Sequence, residues 1–447
     1  MAASVYDSAI YRDLFLDAEA GKLFSDSAVV RAMLIVEGAL AKAQGGCGVI
    51  PEESAFFIHR ASLECQIDPA GLSAGTGQSA VVVPALVAAF RKAMEAPEHA
   101  QYIHWGATSQ DIMDTGLVLR LRQLLTLFDK RIDALLAAFA TQAEAHADLP
   151  MAARTFGQIA TPTSFGAQAA EWGAPLLAHR SRLAALRGEV LKVSLSGASG
   201  TLAAMGPKGT DVRAKLAEGL ALADPGASWH SQREGLAALC GWMAGLCASL
   251  AKFGEDLVLL NQNEVAEITL PAGGASSTMP QKRNPVQPTL LIAIARSATG
   301  LNAALQGAAT HRQQRDPAAW MVEWMLLPQL CLGTARALAV AIELAEGITP
   351  NAPAMDARLS DPLGLSYAEA LSFALAARMR RPEAQAEVKA LCAEARDTGT
   401  PLQDLAAARW PDLDLAALFT PQAQLGTAPA EARTFAAKAR AASTGSA

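Results

Sequence analysis

A chain of 447 residues that is 51% hydrophobic and 18% charged has ample material for packed cores and exceeds what one core usually serves, which argues against disorder and implies two or three domains or one long bundle with smaller ends. Its net charge of −6 is spread without a basic block, so nucleic acid is not expected as a partner, and an anionic ligand needs a local cationic pocket. The six cysteines, Cys47, Cys65, Cys240, Cys247, Cys331 and Cys392, show neither CxxC spacing nor clustering with His; no metal site is expected, and buried reduced thiols are the plain reading.

At the amino terminus, "MAASVYDSAIYRDLF" carries charges where a secretory signal needs an apolar run, so no export is implied and a cytoplasmic protein is expected. "SAVVRAMLIVEGALAKAQ" then repeats its large apolar positions three or four apart and meets "GGCG", a helix stop. "DIMDTGLVLRLRQLLTLFDKRIDALLAAFATQAEAHA" continues the helical spacing for over thirty residues and ends at "DLP". Further long periodic runs cover 163–190, 231–262, 286–310 and 318–346. Five such helices bury their faces only by packing side by side, which predicts an all-α bundle. One of them contains "GLAALCGWMAGLCASLA", the nearest approach to a membrane span; small residues on all its sides predict a helix enclosed by other helices, and no membrane is expected. Period-two runs of β-branched and aromatic residues are nearly absent, so strands are expected to be few and short. Helical pattern yields to Pro, Gly and Asp near residue 110 and again at "GITPNAP". This gives domains 1–110, 111–348 and 349–447, the last closing on an exposed, disordered "ASTGSA".

Polar segments interrupt this background at wide intervals. "HWGATSQDIMDT", "ARTFGQIATPTSFG", "SWHSQRE" and "GGASSTMPQKRNP" each precede a long helix, and "SLSGASGTLAAMGPKG" is rich in glycine. Helix starts present free N–H groups and the positive end of the dipole, so they suit carboxylates. Each segment taken singly also has a plainer reading. Thr108, Ser109 and Asp111 suit a helix cap, His104 beside Trp105 suits a packed ring, Arg154 and Gln158 suit a loop pair, and "WHSQR" suits a cap with a solvated Arg. The glycine run lacks the GK[ST] ending and a preceding strand, so nucleotide binding is not indicated.

Taken together and in this order, the segments are far more specific. "SSTMPQKRNP" resembles the SSxMPxKxNP fingerprint of the aspartase/fumarase superfamily, "HWGATSQDIMDT" its first conserved region and "RTFGQIATPTSFG" its second, with resemblance over essentially the whole chain. The resemblance implies a three-domain subunit and a homotetramer with a twenty-helix core, each active site drawing segments from different subunits. It implies reversible elimination or addition beside a carboxylate through an aci-carboxylate, with no cofactor. Ser276 would then transfer the proton at carbon. Lys282 and Asn284 would hold the substrate carboxylate, with further hydrogen bonds from Thr108, Ser109, Thr155 and Gln158.

Two departures from the superfamily pattern indicate the branch. Fumarases and adenylosuccinate lyases usually carry a His after the "RT" or "RS" pair and a Glu seven residues beyond the loop lysine, whereas Phe156 and Thr289 stand there in this chain. A His–Glu pair protonates hydroxide or amine as it departs, but a carboxylate, with pKa about 4, departs unaided. The chain accordingly resembles the carboxymuconate cycloisomerase branch, in which a substrate carboxylate closes onto its own double bond. A small tricarboxylate demands several cations or donors, and His104, Arg154, His230, Arg233, Lys282 and Arg315 are the candidates, with Lys282 and His230 foremost. Other readings are another lyase of the superfamily, adenylosuccinate-like or acting on a substituted muconate, and a structural role for the helical assembly.

Overall fold

The computed structural model describes residues 4–444, with the side chains of 443 and 444 left out of account. Contacts divide the chain into two compact units, one formed by residues 1–130, 179–248 and 294–339, the other by 131–178, 249–293 and 340–447.

Helix α1 (Asp26–Gly46) starts where the Ser25 hydroxyl accepts the Ala28 N–H at 3.3 Å. The five long helices follow: α2 (Ser109–Ala145), α3 (Phe165–Val190), α4 (Glu234–Leu260), α5 (Val286–Ala308) and α6 (Pro317–Gly347). At 37 residues, α2 is about 55 Å long. Helix α7 (Ala428–Thr444) runs into the segment expected to be a disordered tail, and residues 445–447 of that tail lie outside the described part.

In the first unit, Val30, Met33, Leu34, Val36 and Leu40 of α1 form one apolar cluster with Ile58, Leu86, Phe90 and Ile103. Val193, Leu195, Leu202, Val212 and Leu216 complete it. Gly38 lets α1 approach the following helix Glu52–Glu64 closely, since a Cβ there would meet Ser62 Oγ at 1.9 Å. In the second unit, Phe139, Phe165, Trp172 and Phe253 make edge and tilted ring contacts with centroids 4.9–6.3 Å apart. A separate cluster of Leu371, Leu375, Val388, Leu391, Leu402 and Leu415 holds the short carboxyl-terminal helices.

Helices α4 and α6 are each long and apolar enough to cross a membrane, and half or more of their apolar stretches is buried inside the protein. All six cysteines are free. Burial holds only for Cys240, Cys247 and Cys331; Cys47, Cys65 and Cys392 are half-buried, which corrects the expectation for these three.

Among the described residues six strands interrupt the helices, all in antiparallel pairs: β1 (Pro150–Thr155) with β2 (Gln158–Ser164), β3 (Ile268–Thr269) with β6 (Thr349–Pro350), and β4 (Gly274–Ala275) with β5 (Arg283–Asn284). The first pair is longer than the sequence suggested. The segment "ARTFGQIATPTSFG" reads as an irregular approach to a helix, yet it folds as most of a hairpin whose two-residue turn is Phe156–Gly157, both at positive φ.

Candidate active site

The serine-bearing segment is the connection between β4 and β5, whose register pairs Gly274 with Asn284 and Ala275 with Arg283. Pinning the two ends of the loop sets Ser276 at one stem and Lys282 and Asn284 at the other. Gly274 has a packing reason: a Cβ there would meet Val286 Cγ2 at 2.5 Å. The Ser276 hydroxyl oxygen accepts the backbone N–H of Met279 at 3.0 Å and of Thr278 at 3.4 Å. Two donors on this oxygen stabilise negative charge on it, which makes the hydroxyl a better proton donor than a serine in water. Lys282 is exposed on the same loop. Thr289, one turn into α5, spends its hydroxyl on the Pro285 carbonyl at 2.8 Å.

The hairpin carries Arg154, Thr155 and Gln158, with Thr155 and Gln158 paired across the turn. Arg154 forms a bidentate ion pair with Glu267, at 2.8 and 2.9 Å, and the Glu267 side chain is fully buried. That geometry braces β1 against the segment before β3 and uses both guanidinium ends. Phe156 at the tip is wholly exposed and sits at φ +50°, an uncommon conformation for a bulky residue.

In the first unit, Asp111 is the centre of a hydrogen-bond hub. Its carboxylate accepts from His230 Nε2 at 2.8 Å, from the Ser196 and Gly197 N–H groups at 2.9 Å each, and from the Thr108 N–H at 3.0 Å. The glycine-rich run therefore directs its amides at a protein carboxylate. Gly197, at φ +72°, makes that approach possible. Neighbouring Gln110 donates to the His230 carbonyl at 3.0 Å and accepts from Arg315 at 2.9 Å. Ser109 opens α2 half-buried beside them.

Arg233 is buried beneath this layer. It reaches Asp114 at 2.6 Å and Glu323 at 2.5 Å, and its guanidinium lies 4.7 Å from the Trp229 ring centre. Burial works against its charge, but Asp114 and Glu323 outweigh that and raise its pKa. His104, at φ +65°, pairs its Nδ1 with Glu37 at 2.7 Å.

The structure thus joins Thr108 and His230 to Asp111, Arg315 to Gln110 and Arg233 to Asp114, with Ser109 at the start of α2 and His104 against Glu37 in the same unit. It places Arg154, Thr155 and Gln158 on one hairpin of the other unit, and Ser276, Lys282 and Asn284 on one loop of that unit. Sequence reading missed Asp111 as a hub and passed over Gln110, Glu37, Glu267 and Glu323. The usable signal was a lone acid inside an apolar helical run, as in "LIVEGAL" and "WMVEWML".

A family model described as "Lyase" matches residues 20–300. The 3-carboxy-cis,cis-muconate cycloisomerase of Pseudomonas aeruginosa is 42% identical, covering 85% of this chain and 84% of that protein. The enzyme of the same name from Bradyrhizobium diazoefficiens is 37% identical, covering 91% and 92%. The crystal structure of the 3-carboxy-cis,cis-muconate lactonizing enzyme from Pseudomonas putida superposes with TM-score 0.92 at 34% identity, covering 97% of this chain and all of that one. With the fingerprint loop, the helical architecture and these matches in agreement, the chain belongs to the lyase family, the aspartase/fumarase superfamily.

Proposed function

We propose that this chain is a cytoplasmic, cofactor-independent 3-carboxy-cis,cis-muconate cycloisomerase acting as a homotetramer with shared sites. The substrate is a small tricarboxylate. One of its carboxylate oxygens forms the new C–O bond to a diene carbon, and the displaced π pair moves to the adjacent carbon and into the carboxylate there. Ser276 gives its hydroxyl proton to that carbon and is reprotonated from solvent, so one proton is taken up per turnover. The Lys282 ammonium and the Asn284 amide hold the carboxylate on which charge builds; donors fixed before the charge appears lower the barrier without reorganisation. Thr108, Ser109, Thr155, Gln158 and Arg315 supply further hydrogen bonds to the substrate, whereas Arg154 and Arg233 act through the ion pairs that fix their segments.

The observation that carries the choice of reaction is the pair of positions lacking a proton relay. Phe156 has no ionisable group, and Thr289 has committed its hydroxyl to a helix carbonyl. A carboxylate needs no acid at the oxygen that makes or breaks the bond, whereas hydroxide and amines do. Incubation of purified protein with 3-carboxy-cis,cis-muconate should remove the diene absorbance with uptake of one proton and without fumarate release. Fumarate release from a succinyl adduct, with the muconate untouched, would instead mark another lyase of the superfamily.

A further inference from the structure

Helix α1 carries one acid amid apolar residues. Glu37 is 1% exposed, on the same helix as Met33, Leu34, Val36 and Leu40 of the apolar cluster. An ionised carboxylate in such a place costs several kcal/mol unless it is compensated. Its Oε1 meets His104 Nδ1 at 2.7 Å, while its Oε2 is buried with no hydrogen-bond partner among the described residues. One partner for one of two buried oxygens is poor structural design, because an apolar side chain of similar volume fills a core without that cost. The arrangement does have one clear effect, which is to place a negative charge against a histidine ring whose side chain remains 21% exposed.

His104 is also held by its backbone. It stands at φ +65°, which costs a residue with a Cβ about 1–3 kcal/mol, and Gly106 follows at φ +69°. Arg91 fixes the preceding turn by donating to the Ala100 and Ile103 carbonyls at 3.2 and 3.1 Å. Gln44 donates to the Trp105 carbonyl at 2.6 Å. With Nδ1 committed to Glu37, Nε2–H is the donor left for an incoming anion.

We infer that Glu37 is a positioning residue that keeps His104 oriented and cationic, so that His104 binds a substrate carboxylate in a pH-dependent way. The inference rests on the tricarboxylate reading above and adds to it a residue from a helix outside all the motifs. Electrostatics agree in direction. Burial lowers the imidazole pKa and the Arg91 charge lowers it further, but the hydrogen bond and charge of Glu37, with the charge of Asp111, reverse this, so the pKa is raised above its ordinary value. The imidazolium is therefore present below that raised pKa and is lost as pH rises through it. Without Glu37 the loss moves to lower pH.

The test is calorimetric binding of propane-1,2,3-tricarboxylate, an inert tricarboxylate, to the intact protein between pH 5.5 and 8.0, together with the pH profile of KM for 3-carboxymuconate. Removing an opposite charge next to a titrating group shifts it by a unit or more, so Glu37→Gln should weaken binding about tenfold at pH 7. The deficit should shrink at pH 5.5, where the imidazolium is restored, and KM should change far more than kcat. His104→Gln should bind weakly at every pH, with no alkaline loss. Equal loss at all pH values in Glu37→Gln, or a wild-type pH profile in His104→Gln, would overturn the inference. If the binding pattern appears but 3-carboxymuconate is not turned over, the proposed reaction fails while the role of Glu37 stands.

Discussion

The Ser276 oxygen receives two backbone N–H groups, and its loop neighbour Lys282 stands exposed across the β4–β5 stem. Replacing Ser276 by Ala should lower kcat about 100- to 10,000-fold, the usual worth of a positioned proton donor, with circular dichroism and assembly size unchanged. On the proposed mechanism, Lys282→Ala should raise KM and lower kcat together, because the cation would hold the carboxylate in the bound state and hold it more strongly as charge builds in the transition state. A near-normal kcat in Ser276→Ala would remove the serine from the reaction. The sequence singles these residues out as candidates, since a polar loop with Lys and two prolines has no core to serve. Glu37 and Glu267 were not legible. A buried acid is explained only by its partner, and His104 lies 67 residues from Glu37 while Arg154 lies 113 from Glu267. Arg233 shows the same difficulty, because its neutralisation by Asp114 and Glu323 depends on a fold that brings residues about 90 and 119 apart into contact.

At the scale of elements, the five long helices emerged from apolar spacing with ends correct to within a few residues, because a helix of 23 to 37 residues repeats its signal many times. The β1–β2 hairpin did not emerge. Its strands lack period-two apolar alternation, the second contains Pro162, and the turn uses Phe–Gly where Asn–Gly or Asp–Gly is the usual signal. The hairpin leads straight into α3, whose start packs against the end of α2. The Gly166 N–H donates to the His146 carbonyl at 2.8 Å, and a Cβ on Gly166 would meet the Ala143 carbonyl oxygen at 2.4 Å and Ala147 Cα at 2.6 Å. Gly166→Ala forces backbone to move and should destabilise the protein by about 1–3 kcal/mol, read as a fall in Tm. An unchanged Tm would show that this junction yields freely.

For the molecule as a whole, helical content and the fingerprint loop were enough to read the all-α class and the superfamily. Both rest on features repeated along the chain or concentrated in one segment. The partition into compact units was harder to read, because each long helix supplies residues to both units and no composition shift marks the passage. The proposed lactone formation without an acid at the ring oxygen would leave a distinctive isotopic record. The most direct measurement is NMR of the product formed from 3-carboxy-cis,cis-muconate in deuterated water. Proton delivery from Ser276 requires a carboxymuconolactone with one deuterium at the carbon beside the carboxylate, formed about 100- to 10,000-fold more slowly by Ser276→Ala. A lactone without deuterium at that carbon, or cleavage in place of ring closure, would contradict the mechanism.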